Sequence, residues 1–514
     1  MGSRAWVLVL VLVLALVLPQ GARAEKPMSA IDWLSESVAT PVAAPPPSEP
    51  PVSGPVTVPQ VAVTVLGQSG LDAAGVLPPA TTGLPRALWG LGRTDEIIAA
   101  LAIDRSGVLP ALKGLVLTVL LAEADAPADS NGKGALLLAR VDKLLALGAL
   151  DQAEALLQAA GEPGQADLFR RAFDVALLTG TEDRGCITMR STPNLAPTFQ
   201  ARIFCLARSG DWNAAALTLR TGVALGHLTP ADEALLSRFL DPDLYEGEPP
   251  LTPPDPVTPL DWRMLEAVGE TLPTANLPLA FSHAELRDTA GWKAQIEAAE
   301  RLSRAGVVAP DLLLGLYTAR TAAASGGVWD RVVAFQRLDE ALVKDDIAGL
   351  DAALPRVWDQ MVGAELEVPF AQLFGPALLQ QPLTGASADL ALKVALLSPE
   401  YERAALARDP GGDAVAMFLL GVARGDLAGL TPPDSLARAI AAAFVAPDPG
   451  PDLLTLLDGN RLGEAILGAV DQVAQGVQGD LKGVTQGLSL LRRVGLEDVA
   501  RRTALELLLL ERRG

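Results

Sequence analysis

Residues 134–161, GALLLARVDKLLALGALDQAEALLQAAG, predict two short helices joined by a tight turn. On the first helix, apolar residues recur at helical spacing on one face, and charged residues lie on the other. The apolar positions are Leu137, Val141, Leu144 and Leu145, and the charged positions are Arg140, Asp142 and Lys143. This helix is therefore predicted to bury one face and to expose the other.

Gly148 is predicted to end the first helix, because glycine takes the left-handed cap conformation without steric cost. Asp151 is predicted to start the second helix, and Glu154, three residues later, is predicted to complete a capping box. The apolar face of the second helix comprises Ala153, Leu156, Leu157 and Ala160. A helix pair of this length cannot bury its apolar faces alone, so neighbouring pairs must stack.

The same turn pattern recurs along the chain: a glycine, or an Asn or Asp in its place, is followed by a capping residue and then by a small or apolar residue. The copies centre on Gly92, Gly148, Gly180, Gly210, Asp345, Gly425, Asn460 and Gly495. Positions 148, 180 and 210 are about 30 residues apart, and positions 425, 460 and 495 are about 35 apart, which is the period of a helix-turn-helix repeat. The sequence therefore predicts an all-α fold, an α-solenoid of helix-turn-helix repeats.

Three of these turns, in residues 145–161, 206–219 and 460–470, resemble the turn between the two helices of the tetratricopeptide repeat. The copies are degenerate, because most of the family's aromatic positions and its closing proline are missing. The resemblance implies a right-handed superhelix with a concave binding surface, and it implies no chemistry. The chain also resembles exported bacterial proteins labelled "antifreeze glycopeptide", but it lacks the regular Thr-Ala-Ala repeat that ice binding would need.

Residues 1–24 are predicted to be a secretory signal peptide. Arg4 supplies the positive charge, residues 6–18 are an apolar run, and the Ala-Arg-Ala at 22–24 matches the small-residue cleavage pattern. The alternative is a membrane anchor, but the run is short for the roughly 20 residues that a spanning helix needs. With cleavage after Ala24, the protein is predicted to be periplasmic or secreted, without stable membrane insertion.

A short amphipathic segment follows the signal peptide and contains Ile31, Trp33, Leu34 and Val38. Residues 41–59 are rich in proline and predict an extended, disordered linker. A short apolar helix on such a tether is a candidate docking element for a groove on a partner. The alternatives are that the segment folds back onto its own domain or stays disordered.

A second proline-rich stretch, residues 241–261, divides the rest of the chain. We expect residues 25–84 to be the amphipathic segment and linker, residues 85–240 a first helical-repeat segment, and residues 262–514 a second one. The acidic residues near the start of the 241–261 stretch lack the spacing of an EF-hand. A solvated loop is therefore predicted there, without a metal site.

The chain has two cysteines, Cys186 and Cys205, in what is predicted to be an oxidising compartment. They fall on consecutive predicted helices, and consecutive helices of a solenoid are antiparallel neighbours. A disulfide between them would close a loop of about 20 residues and stabilise the fold by roughly 3 kcal/mol. The alternative is a pair of buried free thiols.

Composition and motifs favour binding over catalysis. The net charge of −20 repels nucleic acid, so no nucleic-acid partner is expected. The only histidines are His227 and His283, and the sequence has neither a phosphate-binding loop nor a nucleophile elbow. We therefore expect no catalytic residues, no metal site and no cofactor. The eight tryptophans are expected mostly in the core, and the alternative is that they line a peptide-binding groove.

We expect an exported helical-repeat scaffold or adaptor that binds another protein or peptide of the cell envelope and has no catalytic activity of its own. The alternatives are an accessory or regulatory subunit of cell-wall remodelling and a catalytic cell-wall hydrolase. A hydrolase needs two carboxylates that face each other across a cleft. Two such buried carboxylates in a deep pocket would favour the hydrolase, whereas an open groove would favour binding.

Overall fold

The computed structural model describes residues 70–161, 164–270, 272–408 and 411–510. The predicted signal peptide, the proline-rich linker and the candidate docking residues Ile31, Trp33, Leu34 and Val38 lie outside the described residues. What the sequence predicts for them stays a prediction.

The described residues form an all-helical fold without β-strands, as the sequence predicts. The first eleven helices are α1 (Pro79–Thr82), α2 (Thr94–Ala102), α3 (Pro110–Leu121), α4 (Ala135–Ala146), α5 (Leu150–Ala159), α6 (Ala166–Thr179), α7 (Glu182–Ser191), α8 (Phe199–Arg208), α9 (Trp212–Ala224), α10 (Pro230–Leu240) and α11 (Pro259–Ala267). Short 3₁₀ helices occur at Leu71–Ala73, Pro193–Leu195, Pro242–Tyr245, Thr274–Asn276 and Leu279–Leu286.

The helices continue to the end of the described chain. They are α12 (Trp292–Ala305), α13 (Pro310–Thr318), α14 (Val328–Val343), α15 (Ile347–Gly363), α16 (Glu367–Leu378), α17 (Gly385–Leu396), α18 (Tyr401–Ala407), α19 (Ala414–Arg424), α20 (Ser435–Val445), α21 (Gly450–Asp458), α22 (Leu462–Val477), α23 (Leu481–Arg493) and α24 (Glu497–Leu509).

The recurring turn is a left-handed helix end, and at most positions the next helix begins within a few residues; after Gly425 it begins only at Ser435. Its central residue has a positive φ at every predicted position except Gly92. At Gly148, the N–H of the next residue donates to the carbonyl of Leu144 at 2.8 Å, five residues back. The same bond follows Gly210 and Gly495, and this geometry defines a Schellman motif. The predicted helix ends are therefore confirmed at these positions.

The capping box predicted at Asp151 and Glu154 is wrong. Helix α5 begins at Leu150, its N-cap residue is Ala149, and no side chain caps it. The tight turn starts the helix earlier than the pattern predicts, so Asp151 falls inside the first turn. Glu154 instead accepts a hydrogen bond from Gln158 at 3.1 Å. Asp151 still lies where the helix dipole favours a negative charge.

Most buried apolar side chains belong to one cluster that extends from Leu84 to Leu510. Helices that follow one another pack together, for example α14 with α15 and α22 with α23. The last helices also pack onto the first ones, because α24 contacts α3 and α22 contacts both α2 and α3. The array of described helices therefore closes on itself, a contact that the repeat pattern does not predict.

Hydrogen bonds join the first and last parts of the described chain. Arg105 donates from Nε and Nη2 to the two carboxylate oxygens of Asp471, each at 2.7 Å. Only 2% of the area of Arg105 is exposed. The N–H of Leu91 donates to the carbonyl of Asn460 at 3.0 Å. The bidentate, charge-assisted pair of Arg105 and Asp471 defines both the distance and the orientation between the loop after α2 and helix α22.

A second, smaller cluster lies within residues 169–265. Helices α7 to α10 form this unit, which we call the lobe, and α6 and α11 pack against each other at its base. Both sides of the proline-rich stretch contribute to the cluster, through Leu236 and Met264. Cys186 on α7 and Cys205 on α8 lie at disulfide-bonding distance, with Cα atoms 5.0 Å apart. The predicted proximity of the two cysteines is therefore confirmed.

A buried chain of ion pairs lies at the base of the lobe. The guanidinium of Arg263 on α11 donates to Glu182 on α7 at 2.8 Å and to Glu266 at 2.7 Å. Arg287 then donates to the other oxygen of Glu266 at 2.7 Å. Both carboxylates are fully buried. Buried charges are tolerated only when they are paired and hydrogen-bonded, so these contacts define how the lobe meets the array.

The tryptophans of the described chain lie mostly in the core, as predicted. Less than a tenth of the area of Trp89, Trp262, Trp292 and Trp358 is exposed. Trp212, on helix α9 of the lobe, is different, because 52% of its area is exposed. The tryptophans therefore mainly stabilise helix crossings.

Candidate functional site

Helix α4 is buried on more sides than its sequence pattern predicts. It packs against α2, α3, α5 and α6 and against two 3₁₀ helices. Arg140 and Lys143, which are predicted on its polar face, are only 1% and 8% exposed. The prediction of an exposed face is therefore wrong for these two residues, because the helix has neighbours on both sides.

Arg140 pairs with backbone carbonyls at a helix end. Its guanidinium donates to the carbonyls of Leu120 at 2.7 Å, Ala122 at 3.0 Å and Ala74 at 2.6 Å. Helix α3 ends at Leu121, so its last carbonyls lack partners within the helix. Burial lowers the pKa of Arg140 to about 10, which leaves the group charged at neutral pH.

Lys143 lies at the wall of a cavity. Its Nζ donates to the backbone carbonyl of Ile103. Burial lowers the pKa of Lys143, and the neighbouring charge of Arg105 lowers it further. An ammonium group has three donors, so the contact with one carbonyl does not use its full capacity.

The cavity beside Lys143, which we call the central cavity, has a volume of about 760 Å³ and lies between α2, α4 and α12. Half-buried Ile98, Leu147 and Leu279 supply apolar surface. The basic residues that line it are Lys113, Lys143, Arg301 and Arg304, and the acidic residues are Asp104, Asp142 and Glu365. Basic residues therefore outnumber acidic ones here, whereas the whole chain has 61 acidic and 41 basic residues.

Side chains outside the central cavity hold two of its charges in place. Asp142 accepts from both Nε and Nη2 of Arg171, the second bond being 2.6 Å long. Arg301 donates to Glu285 at 2.8 Å. Supporting contacts of this kind restrict the side chains to one geometry before a ligand binds.

A second cavity, of about 490 Å³, adjoins the central cavity, and Arg304 and Glu365 line both. Its wall includes residues of α3, α16 and α24, so the start, middle and end of the described chain meet around it. Glu506 on α24 accepts the N–H of Ala111, in the first turn of α3, at 2.9 Å. Closure of the array therefore forms this second cavity.

Two contacts position the Gly148 turn against the central cavity. His283 donates from Nε2 to the carbonyl of Gly148 at 2.7 Å, so its ring carries a proton on Nε2. Burial lowers the pKa of His283, which favours the neutral ring. A Cβ atom at position 148 would lie 2.8 Å from the side chain of Leu279, which lines the cavity. Close approach and a positive φ both require glycine here.

The lobe contains a separate cavity of about 330 Å³, which we call the lobe cavity. Asp174 of α6, Asp232 of α10 and Asp261 of α11 line it, together with Arg170 and His227. The ring of His227 stacks on a phenylalanine that also lines the cavity, with centroids 4.7 Å apart.

The three carboxyl groups of the lobe cavity have different roles. Asp232 and Asp261 complete capping boxes with Thr229 and Thr258, at the starts of α10 and α11. Asp174 is 6% exposed, and its Oδ2 has no hydrogen-bond partner among the described residues. Burial raises the pKa of Asp174 to about 7 and that of Asp261 to about 6. Of the two buried carboxyls that a hydrolase would need, one is therefore a helix cap.

Within the described ranges, no three His, Cys, Asp or Glu side chains are placed to hold a metal ion. No helix in the same part of the chain is both long and apolar enough to cross a membrane.

No protein-family model, curated protein or solved structure matches the chain. The resemblance to the tetratricopeptide repeat therefore stays a prediction.

Sequence reasoning located some of these side chains and missed others. The two cysteines are brought together, and the candidate docking residues lie outside the described residues. His227 lies in the lobe cavity, and His283 lies under the Gly148 turn. Lys143 and Asp174 were missed, because charged residues on amphipathic helices carry no local signal of burial.

Proposed function

We propose that the protein is an exported helical-repeat scaffold or adaptor that binds another protein or peptide of the cell envelope in its central cavity. The main support is the cavity itself, which has about 760 Å³ of space and a lining that combines apolar side chains with four basic and three acidic ones. Binding sites typically combine apolar walls with a few placed polar groups. A partner segment with an apolar side chain next to an acidic one matches this lining.

The proposal includes the repeat architecture. Under this proposal, the helix pairs joined by the recurring Schellman turn are degenerate tetratricopeptide-like repeats. Repeat proteins bind partners on surfaces that several stacked units make together. The central cavity is compatible with that principle, because α2, α4 and α12 contribute to it from separate parts of the chain.

Apolar contacts should supply most of the affinity. Burial of one leucine-sized side chain contributes about 1.5–3 kcal/mol, whereas a partly exposed ion pair contributes about 0.2–1 kcal/mol. Ile98, Leu147 and Leu279 are therefore the expected anchors. The basic residues should mainly orient the partner and reject basic segments.

Site-specific photo-crosslinking in the intact cell envelope tests this proposal. A photoreactive phenylalanine analogue at Ala139, which lines the central cavity, is expected to form an adduct with one defined partner. Val343 is the matched control position, because it is 79% exposed and does not line this cavity. Adding Leu147→Glu should abolish the adduct at 139, because the charge would enter the apolar part of the wall.

The proposal would be contradicted by the opposite pattern. An adduct at position 343 without one at 139 would place binding on the outer surface. An adduct at 139 that persists with Leu147→Glu would exclude the apolar wall as the anchor. Absence of any adduct at 139, with the protein folded and exported, would exclude the central cavity as the binding site.

A further inference from the structure

We propose that the chain carries its own ligand for the central cavity: residues 28–38, which contain Ile31, Trp33, Leu34 and Val38, occupy the cavity until a partner displaces them. The inference rests on the function proposed for that cavity and adds a regulation of the same site. Residues 28–38 lie outside the described residues. Their sequence, the place where the described chain begins and the lining of the cavity together point to this occupant.

The segment has the chemistry that the central cavity accepts. Its sequence, MSAIDWLSESV, places Asp32 between Ile31 and Trp33 and contains Glu36 but no basic residue. Its apolar side chains suit the apolar wall of the cavity. Its two carboxylates suit a lining in which basic side chains outnumber acidic ones. The segment is thus an apolar ligand with a net negative charge.

Pairing with side chains outside the cavity does not remove the basic excess. Asp142 is paired with Arg171, and neither this arginine nor the glutamate that pairs with Arg301 lines the cavity. One acidic and one basic group of the lining are thereby neutralised, which leaves three basic groups against two acidic ones. Arg304 is half-buried and donates from Nη1 to the carbonyl of Ala364 at 3.0 Å. A guanidinium has five donors, so Arg304 is the expected contact for a carboxylate of the segment.

The second cavity and the lobe cavity fit the segment less well. The second cavity is lined by Arg304 and Arg502 but also by Glu365, Asp498 and Glu506. In the lobe cavity, three carboxyl groups face one guanidinium, and its volume of about 330 Å³ is less than half that of the central cavity. Acidic linings repel a segment that carries two carboxylates and no basic group. Charge and size therefore favour the central cavity.

The start of the described chain lies close to the central cavity. The description begins at Gly70, and Asp72 accepts the N–H of Leu137, in the first turn of α4, at 2.9 Å. Along α4, Leu147 at the cavity wall is only about 15 Å from Leu137. Residues 39–69 connect the segment to Gly70, and a chain of that length spans about 30 Å as a flexible coil and about 95 Å when extended. The linker is therefore long enough for the segment to reach the cavity.

Tethering makes a weak contact sufficient. A segment on a linker of this length has an effective concentration on the order of 1 mM at a site on its own chain. An intrinsic dissociation constant of about 0.1 mM would then keep the cavity about nine-tenths occupied and weaken the binding of an external partner about tenfold. The segment thus defines an affinity that a partner must exceed.

Photo-crosslinking of the purified full chain tests the inference. A photoreactive phenylalanine analogue replaces Trp33, and mass spectrometry maps the residue to which it links. The expected link lies within one chain and joins position 33 to a residue that lines the central cavity. Leu147→Glu should lower its yield at least fivefold, because a charge enters the apolar wall. Val343→Glu is the control, since Val343 is 79% exposed and lies outside this cavity, and the yield should not change.

A second pair of variants leaves the described fold untouched. Glu36→Lys should lower the yield about threefold, because it reverses a charge of the segment opposite a basic lining. Glu49→Lys, the same substitution in the linker, should leave the yield unchanged. In the intact envelope, deletion of residues 28–38 should raise the yield of the partner adduct at Ala139 about tenfold, because the tethered competitor is gone.

These results distinguish the inference from the proposed function. A link from position 33 that maps outside the central cavity, or that joins two chains, would overturn the inference, and so would equal yields with Glu36→Lys and Glu49→Lys. The proposed function would survive such results, because the partner adduct at Ala139 tests it separately. A link to the cavity, with no partner adduct at Ala139 even after deletion of residues 28–38, would support the inference and contradict the proposed function.

Discussion

Arg140 and Asp174 are buried ionisable residues with opposite surroundings. Arg140 donates to three backbone carbonyls, so its charge is hydrogen-bonded although water is excluded. Asp174 has an oxygen without a partner in the described structure, and burial shifts its pKa toward the neutral form. A buried charge that finds partners stabilises one packing arrangement, whereas one without partners lowers stability.

Replacing Asp174 by Asn is predicted to stabilise the fold at neutral and higher pH. The pKa of the Asp174 carboxyl is about 7 in the folded protein, which exceeds the value of about 3.9 in the unfolded chain. The contribution of the carboxyl to stability is therefore complete below about pH 4 and is lost as the pH rises to about 7. Denaturant titrations should show free energies of unfolding that diverge over this range, by on the order of 4 kcal/mol. Curves that stay parallel throughout would contradict the buried carboxyl.

Replacing Arg140 by Met is predicted to destabilise the fold by about 3 kcal/mol, because it leaves buried carbonyls without a donor. Arg220→Met is the control, since Arg220 is exposed on α9, and its effect should stay within about 0.5 kcal/mol. Equilibrium unfolding in urea measures the free energy of unfolding of both variants. Equal effects of the two substitutions would show that Arg140 is not buried among carbonyls in solution.

At the scale of helices, several caps come from distant parts of the chain. Asp72 accepts the N–H of Leu137, in the first turn of α4, from 65 residues away. Asp129 accepts the N–H of Thr94 at the start of α2, at 2.9 Å. A cap from a distant residue leaves no local pattern, which is why these two caps were missed.

Asp72→Ala is predicted to cost about 1–2 kcal/mol of stability, because the buried start of α4 loses its acceptor. Asp151→Ala is the matched control. Asp151 fits the sequence pattern of a cap but caps no N–H, so its loss should cost no more than about 0.5 kcal/mol. Thermal or urea unfolding distinguishes the two. A larger loss of stability for Asp151→Ala than for Asp72→Ala would show that Asp151 is a helix cap in solution, as the sequence pattern predicts.

The cysteine pair connects α7 to α8 within the lobe. Intact-mass measurement of the protein is expected to show a gain of two hydrogens on reduction, because Cys186 and Cys205 lie on adjacent helices at bonding distance. Reduction should also lower stability by roughly 3 kcal/mol. Two thiols that react with an alkylating reagent without prior reduction would contradict this expectation.

For the whole molecule, the sequence predicted the helices and their turns but not their closure. Turns such as that at Gly148 are local, because one backbone conformation and one glycine determine them. The contact of Arg105 with Asp471 joins residues 366 positions apart, and neither neighbourhood indicates the other. The lining of the central cavity comes from residues between Ile98 and Glu365, which are also far apart in sequence, so it could not be predicted from periodicity.

A double-mutant cycle on Arg105 and Asp471 measures closure directly. Arg105→Met or Asp471→Asn alone is expected to cost about 3 kcal/mol, because each leaves a largely buried charge without its partner. The double variant should cost little more than one substitution, which gives a large coupling energy. The exposed pair Lys344 and Glu340 is the control and should couple by less than about 1 kcal/mol. A coupling energy near zero for the first pair would show that the array is open in solution.

Closure also has a consequence for the order of events during synthesis. Leu88, Trp89 and Ile97 are covered within a core shared with the last helices, which leave the ribosome long after them. Until those helices arrive, this apolar surface has no final partner, and contacts so distant in sequence form slowly. With export as proposed, a holding chaperone would be needed during that interval. The same contact that forms the second cavity therefore leaves the early helices without their final partners until the late helices are made.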